Sequence, residues 1–273
     1  MPMATQRPPS KTLKWLRARP WVQAAFLAVW LDPLFLRLHN VCGVAFHCYA
    51  CPLALFACPI GVIANFSSLH LLPLLAVGTL LLVGAAVGAF VCGWACPFGF
   101  LQDLLSKVPT PRFNLPHWTG YLRYAVLALF VLLVPYLWGE AHSLFICRLC
   151  PAGTLEAALP AMAKTASSGG SAIFPSTTRT VIAVLLVVAL FFTHRPWCVM
   201  FCPLGALFGL TNRFSAFFLR YDPSSCINCS ACRKLCRYGV APDLRANDPR
   251  CIRCLECTRC GALTVGSALS SKP

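Results

Sequence analysis

Cys92-Gly93-Trp94-Ala95-Cys96-Pro97-Phe98-Gly99 is echoed later in the chain by Cys198-Val199-Met200-Phe201-Cys202-Pro203-Leu204-Gly205. Both read C-x3-C-P-x-G, and each follows an apolar segment. Cys-Pro-x-Gly recurs at Cys58-Pro59-Ile60-Gly61 and at Cys150-Pro151-Ala152-Gly153. Proline directly after cysteine suits the first turn of a helix, where its missing N–H costs nothing. Each cysteine is therefore expected at a helix N-terminus, whose dipole favours thiolate over thiol. Helices are expected over Phe98 to Ser106, Thr154 to Leu159 and Leu204 to Thr211. Thiols placed periodically after apolar segments point to a membrane protein that holds metal or redox centres at its faces.

Composition agrees. Of 273 residues, 58% are hydrophobic and only 11% charged, against about 25% charged in a soluble domain. The net charge of +15 does not read as nucleic-acid binding. The bases gather before the first apolar segment (Arg7, Lys11, Lys14, Arg17, Arg19) and among the late cysteines, with no basic-aromatic stripe.

Four apolar spans are expected: Trp21 to Leu38, interrupted by Asp32-Pro33; Leu71 to Val91; Tyr121 to Trp138; and Thr180 to Thr193, the shortest. Arg123, Arg179 and Arg195 stand at span ends, where long basic side chains can snorkel. The basic N-terminus is placed in the cytoplasm by the positive-inside rule, which returns the basic C-terminal tail to the same side. The expected fold is an all-α transmembrane bundle of four spans, built as a two-span duplication, with a small C-terminal ferredoxin domain of the bacterial two-cluster type. Its expected divisions are a basic cytoplasmic segment 1–20, a membrane domain 21–220, a ferredoxin domain 221–262 and a tail 263–273. The expected location is a bacterial-type inner membrane, multi-pass, with both termini cytoplasmic.

The most specific signal is C-terminal. Cys226-x2-Cys229-x2-Cys232-x3-Cys236 has bacterial-ferredoxin spacing, and Cys251, Cys254, Cys257 and Cys260 follow. In the two-cluster arrangement each fourth cysteine crosses over. One [4Fe-4S] cluster would take Cys226, Cys229, Cys232 and Cys260, and the other Cys236, Cys251, Cys254 and Cys257. The final gap is x2 instead of x3, and the usual proline after the fourth cysteine is replaced by Arg237 and Gly261. A pair of four-thiolate zinc sites is the alternative. Arg233, Lys234, Arg237, Arg250, Arg253 and Arg259 surround these cysteines, where positive charge raises a cluster's potential or steers an acidic partner.

Topological parity sorts the remaining thiols. Cys92, Cys96, Cys198 and Cys202 fall on the inner face as a candidate thiolate site, with dithiol chemistry or partner contact as its alternative. Cys51 (or Cys48), Cys58, Cys147 and Cys150 fall on the outer face as a second candidate, with simple disulfides as the alternative. One or two further iron–sulfur or metal centres would result. Cys42 and one of Cys48 or Cys51 remain over, and a disulfide fits them. His39, His47, His70 and His142 share no helical face at a ligand spacing. Gln23 is a candidate contact for a quinone head group, or a polar anchor.

The paired C-x3-C-P motifs and the tandem ferredoxin runs together resemble the NapH/MauN-type polytopic membrane 4Fe-4S ferredoxin family, whose C-x3-C-P motifs are shared with NosR and CcoG. The resemblance spans the chain from its first apolar segment to Cys260. It implies a quinol dehydrogenase-like electron-transfer subunit carrying two cytoplasmic [4Fe-4S] clusters on the eight late cysteines. It also implies a role for Cys92, Cys96, Cys198 and Cys202 in activity or partner contact.

The resulting reading is a membrane iron–sulfur protein passing electrons between a quinone or cytoplasmic donor and an outer-face acceptor through redox partner proteins. The alternatives are a copper or metal reductase that assembles a metalloenzyme, and a membrane thiol–disulfide relay. Apart from thiols, no acid, base or nucleophile constellation appears.

Overall fold

The basic start of the chain forms α1 (Lys11–Leu31) in the computed structural model, which describes residues 11–31, 58–111, 113, 115–154 and 176–268. Gln23 on this helix is 2% exposed and donates to the Gly93 carbonyl at 2.9 Å, joined there by Arg19 Nε at 3.0 Å. Gln23 thus packs against the first C-x3-C motif.

α2 (Pro59–Ser68) is followed by α3 (Leu74–Val87). The apolar run ends at Gly88, whose φ is +56°. A side chain there would meet strain from the left-handed backbone and would also strike Asn212 Oδ1 at 2.7 Å and Arg253 Nη1 at 2.8 Å. After this break come α4 (Phe90–Trp94) and α5 (Pro97–Leu105).

The long helix α6 (His117–Trp138) changes winding along its length. It opens as a 3-10 turn, His117–Tyr121, and widens to π geometry over Leu127–Leu133. Pro135 lacks the N–H that would bond the carbonyl four residues back. The wide turn before it makes room for the ring, and Ser67 Oγ donates to the Leu132 carbonyl at 2.9 Å. α7 (Ile146–Leu149), α8 (Thr177–Phe192), a π turn (Trp197–Phe201) and α9 (Pro203–Thr211) follow.

The C-terminal part adds β1 (Phe217–Tyr221), α10 (Ala231–Leu235), a 3-10 turn (Glu256–Cys260) and β2 (Leu263–Ser267). The strands pair antiparallel from Phe217 opposite Ser267 to Tyr221 opposite Leu263. Leu219, Leu255 and Leu263 pack with Cys232, Cys257 and Trp94 beneath this ribbon. A second core joins Ile60, Ile63, Leu80, Val126, Val131, Phe145, Ile146 and Phe208 across the helices.

The expected four-span all-α bundle is not what the chain forms. Among the described residues only α6, with 22 residues and a mean hydropathy of 1.7, is long and apolar enough to cross a membrane. At about 1.5 Å per residue, the 14 residues of α3 and the 16 of α8 cover roughly 21 and 24 Å, short of a bilayer core of about 30 Å. Gly88 cuts the Leu71 to Val91 run early. The Trp21 to Leu38 run is described only as far as Leu31. The chain also carries a two-stranded sheet.

The basic residues at the expected span ends are not snorkelling either. Arg195 is fully buried and Arg123 is 2% exposed. Arg179 donates to the carbonyls of Arg148 at 3.0 Å and Cys147 at 3.2 Å.

Candidate metal centres

Cys96 and Cys202 cap α5 and α9, each followed by proline in the first turn. The same hydrogen bond forms at both: Gly99 N–H donates to Cys96 Sγ at 3.4 Å, and Gly205 N–H to Cys202 Sγ at 3.4 Å. The expected helices at Phe98 and Leu204 are therefore present. Of the third, only Thr154 lies within the described residues.

Cys92, Cys96, Cys198 and Cys202 are brought together and feel one another's charge. Gln102 Nε2 donates to Cys198 Sγ at 3.2 Å. The carbonyl oxygen of Gln102 is buried with no hydrogen-bond partner. Arg195 Nη1 donates to the Cys92 carbonyl at 2.8 Å, while its Nε and Nη2 grip Asp103 at 2.7 and 2.5 Å. Gly99 leaves room for this guanidinium, since a Cβ there would stand 2.8 Å from Arg195 Nη1.

The helix-end reading alone favoured thiolates here, and burial reverses the net effect. Burial raises Cys96, and the Gly99 N–H and Arg195 only partly oppose it. Burial and the neighbouring Cys96 push Cys198 up to about 12. A bound metal replaces the proton in such a site, so binding releases protons.

Asp103 shows the opposite outcome. Burial would raise its carboxyl, but Arg195 and Arg19 outweigh that and hold it below the ordinary value of 3.8. Arg19 reaches Asp103 Oδ2 at 2.9 Å.

The ferredoxin cysteines form two groups. Cys257 lies among Cys251, Cys254 and Cys236, while Cys232 lies near Cys260. The fourth cysteines therefore sit crosswise, each beside the other run. Each run repeats one backbone device. Asn228 and Ser230 flank Cys229 with φ +54°, and Arg253 and Leu255 flank Cys254 with φ +51° and +65°. This conformation turns Asn228 N–H toward Cys226 Sγ and Arg253 N–H toward Cys251 Sγ, both at 3.4 Å. Successive amides of this kind form an anion-binding concavity. Among the described residues no three His, Cys, Asp or Glu side chains converge tightly enough to hold one bare ion. A four-iron cubane spreads its thiolates wider than a single ion does.

Of the outer set, Cys58 caps α2, and Cys58 and Cys147 pack on the helical core that also carries Cys92 and Cys202. Cys150 caps the turn Pro151–Gly153. Cys51, Cys48 and Cys42 lie outside the described residues, as do His39 and His47. Trp138 stacks on His142, and His70 meets Tyr136 edge-on.

The ferredoxin part is locked onto the C-x3-C motifs through one loop. The Ile252 carbonyl touches Gly93, and the Pro249 carbonyl touches Gly209. Trp94 Nε1 donates to the Arg253 carbonyl at 3.2 Å, and Arg123 Nη2 to the Pro249 carbonyl at 2.9 Å. Asn212 Nδ2 donates to the carbonyls of Asp248 at 3.1 Å and Cys251 at 2.7 Å. Arg253 returns the grip to Asn212 at 2.7 Å and to Val87 at 3.0 Å, and also reaches Phe217. Val199, Tyr238 and Ile252 pack together with Cys92, Cys236 and Cys254. The sequence reading did not single out Asp103, Gln102, Asn212, Gly93 or Gly209. Its only available signals were polar residues one or two helical turns past each motif and a glycine inside C-G-x-x-C.

Comparison with known proteins follows these motifs. A family described as a 4Fe-4S binding domain matches residues 69–116 and 177–221, around both C-x3-C-P motifs and short of the ferredoxin runs. The chain is 28% identical to YccM of Escherichia coli, named for electron transport, over 73% of this chain and 54% of that protein. It is 31% identical to the regulatory protein NosR of Stutzerimonas stutzeri over 61% of this chain and 22% of NosR. It is 31% identical to the methylamine utilization ferredoxin-type protein MauN of Paracoccus denitrificans over 29% of each chain. The chain thus spans about half of YccM and a smaller share of the others. No solved structure matches it. The chain is thus similar to NosR, to the ferredoxin-type protein MauN and to the electron transport protein YccM, and its match to a 4Fe-4S binding domain supports iron–sulfur electron transfer.

Proposed function

We propose that the chain is a membrane-bound redox subunit whose ferredoxin part holds two [4Fe-4S] clusters beside a third, four-cysteine centre made by the C-x3-C-P motifs. The observation that carries this reading is the shared packing of Cys92, Cys236 and Cys254 around Ile252, Val199 and Tyr238. It sets one ferredoxin cysteine group directly against the motif cysteines.

Cys226, Cys229, Cys232 and Cys260 would hold one cluster, and Cys236, Cys251, Cys254 and Cys257 the other. Cys92, Cys96, Cys198 and Cys202 would hold the third centre. Iron–sulfur clusters supply one-electron exchange without proton or bond chemistry. The backbone N–H groups of Asn228 and Arg253, aimed at sulfur, stabilise thiolate and favour the reduced form of what it binds. Buried Arg195 lends positive charge to the motif cysteines, and Asp103 holds it in place. Tyr238 and Ile252 exclude water between the two groups.

Membrane attachment rests on α6 and on exposed apolar side chains such as Leu74, Leu75 and Leu82, a patch of the kind that marks a binding or lipid surface. Cys58 and Cys147, on the core that carries Cys92 and Cys202, give the path a direction toward an acceptor on the far side. Quinol or a soluble carrier is the donor.

Iron and acid-labile sulfide counting on anaerobically purified full-length protein tests this. About twelve irons per chain are expected, falling to about eight in Cys96→Ser/Cys202→Ser, by the four-iron stoichiometry of each cubane. About eight irons in both would remove the third centre. Zinc without iron would remove the electron-transfer role.

A further inference from the structure

The two ends of the ferredoxin part differ in what surrounds them. Cys236 and Cys254 are packed against the motif cysteines. Cys229 is the exposed one of the eight late cysteines. Ile227 beside it is 64% exposed, and Leu244 is 73% exposed. Asp243 ties these turns together, standing 3.9 Å from Cys232 Sγ and 2.8 Å from Arg233 Nε. Leu244 and Arg245 directly follow Asp243 in the chain, beside the helix that carries Cys232 and Arg233.

Basic side chains outnumber acidic ones around this tip. Arg233, Lys234, Arg237 and Arg245 are all exposed. Asp243 pairs with Arg233, Arg237 faces Asp103 beside the first C-x3-C motif, and among the described residues no ion pair involves Lys234 or Arg245. The helices are joined to the ferredoxin part through Asp248 to Arg253, and through Arg19, which stands 3.7 Å from Glu256.

We propose that this exposed end, centred on Cys229 with Ile227 and Leu244 as apolar contacts and Lys234 and Arg245 as a basic rim, is the docking face for an acidic one-electron carrier protein. The inference rests on the reading of Cys226, Cys229, Cys232 and Cys260 as a cluster site. A small apolar centre with a charged rim is the anatomy of a transient protein interface. The rim charges steer a negative partner and speed its arrival. The apolar area is two side chains on separate turns, not the continuous face of a lipid-binding helix, so a protein fits it better than a membrane. The exchange moves one electron between the carrier's centre and iron held by these cysteines; no bond forms or breaks and no proton moves.

The test uses detergent-solubilised, iron-loaded full-length protein and an acidic two-iron ferredoxin as the probe, with binding followed by calorimetry. Binding should weaken by about tenfold or more as salt is raised from about 0.01 M to about 0.1 M, because the screening length shrinks from about 30 Å to about 10 Å. Lys234→Glu/Arg245→Glu should weaken it about tenfold or more at low salt, with iron content unchanged. Leu244→Ser should weaken it without altering the salt dependence, and a basic cytochrome c should not bind. Equal binding by wild type and the charge-reversal variant overturns the proposal, as does no binding at low salt. Loss of binding to phosphatidylglycerol vesicles in that variant, without any effect on the ferredoxin probe, also overturns it and assigns the face to lipid. Absence of iron from the purified protein counts against the cluster reading, and the binding arms still judge the face separately.

Discussion

Replacing Gly93 by alanine places a methyl group against the Ile252 carbonyl at a separation no real Cβ contact adopts. The obstacle is backbone, so the loop from Asp248 to Arg253 has to retreat. Overpacking of this kind costs about 1–3 kcal/mol. The retreat also stretches the 3.2 Å hydrogen bond from Trp94 to the Arg253 carbonyl, worth about 1 kcal/mol. Alanine returns at most about 1 kcal/mol of helix propensity. The net loss is about 1–3 kcal/mol, and it falls on the junction between the ferredoxin part and the helices. Gly78 is the matched control, with no atom within 4 Å of where an alanine methyl would stand, so Gly78→Ala should gain about 0.5–1 kcal/mol. Trypsin cleavage at exposed Arg213 and Arg220 reports opening of the junction. When opening is faster than cleavage, the rate follows the open population, so Gly93→Ala should be cut roughly 5- to 150-fold faster than wild type. Gly209→Ala, which meets the Pro249 carbonyl and Arg123, should behave alike. Cleavage of Gly93→Ala no faster than Gly78→Ala would refute the docked loop.

Asp103→Asn removes the partner of Arg195, which is fully buried; chemical denaturation should show a loss of about 3–5 kcal/mol. The same pair sets an acid limb. The Asp103 carboxyl is held below its ordinary value of 3.8, so its stabilisation is complete above that value and lost as pH falls through the depressed one. The stability gap between wild type and Asp103→Asn should therefore be constant near neutrality and close only in acid; a gap that closes as pH rises contradicts the pairing. Crosswise ligation is tested by iron counts of double variants. Cys236→Ser with Cys254→Ser should lose no more iron than either alone, whereas Cys236→Ser with Cys229→Ser should lose both clusters. The reverse pattern would mean that each run closes its own site.

The cysteine chemistry was legible because it is local. Proline after cysteine predicts a helix start, and α5 and α9 start there with a glycine N–H on sulfur. C-x2-C predicts a tight turn around a ligand, and the left-handed residues at 228, 230, 253 and 255 make it twice. What misled was length. Hydropathy sees the apolar run from Leu71 to Val91 but not that Gly88 must turn to let Asn212 and Arg253 in. Arg123 and Arg195 look like snorkelling span ends because sequence shows neighbours along the chain, and their partners Pro249, Asp103 and Cys92 lie far along it.

By itself, then, the sequence determined the local frame of the thiols: the helix starts set by proline after cysteine and the tight turns set by C-x2-C spacing. Spacing over a few residues is dictated by backbone geometry and needs no fold to be read. Only the tertiary structure decided that the late ferredoxin loop packs between Gly93 and Gly209, and that burial raises the motif thiols against their helix dipoles. Those outcomes depend on which surfaces exclude water from which others, and desolvation is a property of the folded chain that no stretch of sequence carries alone.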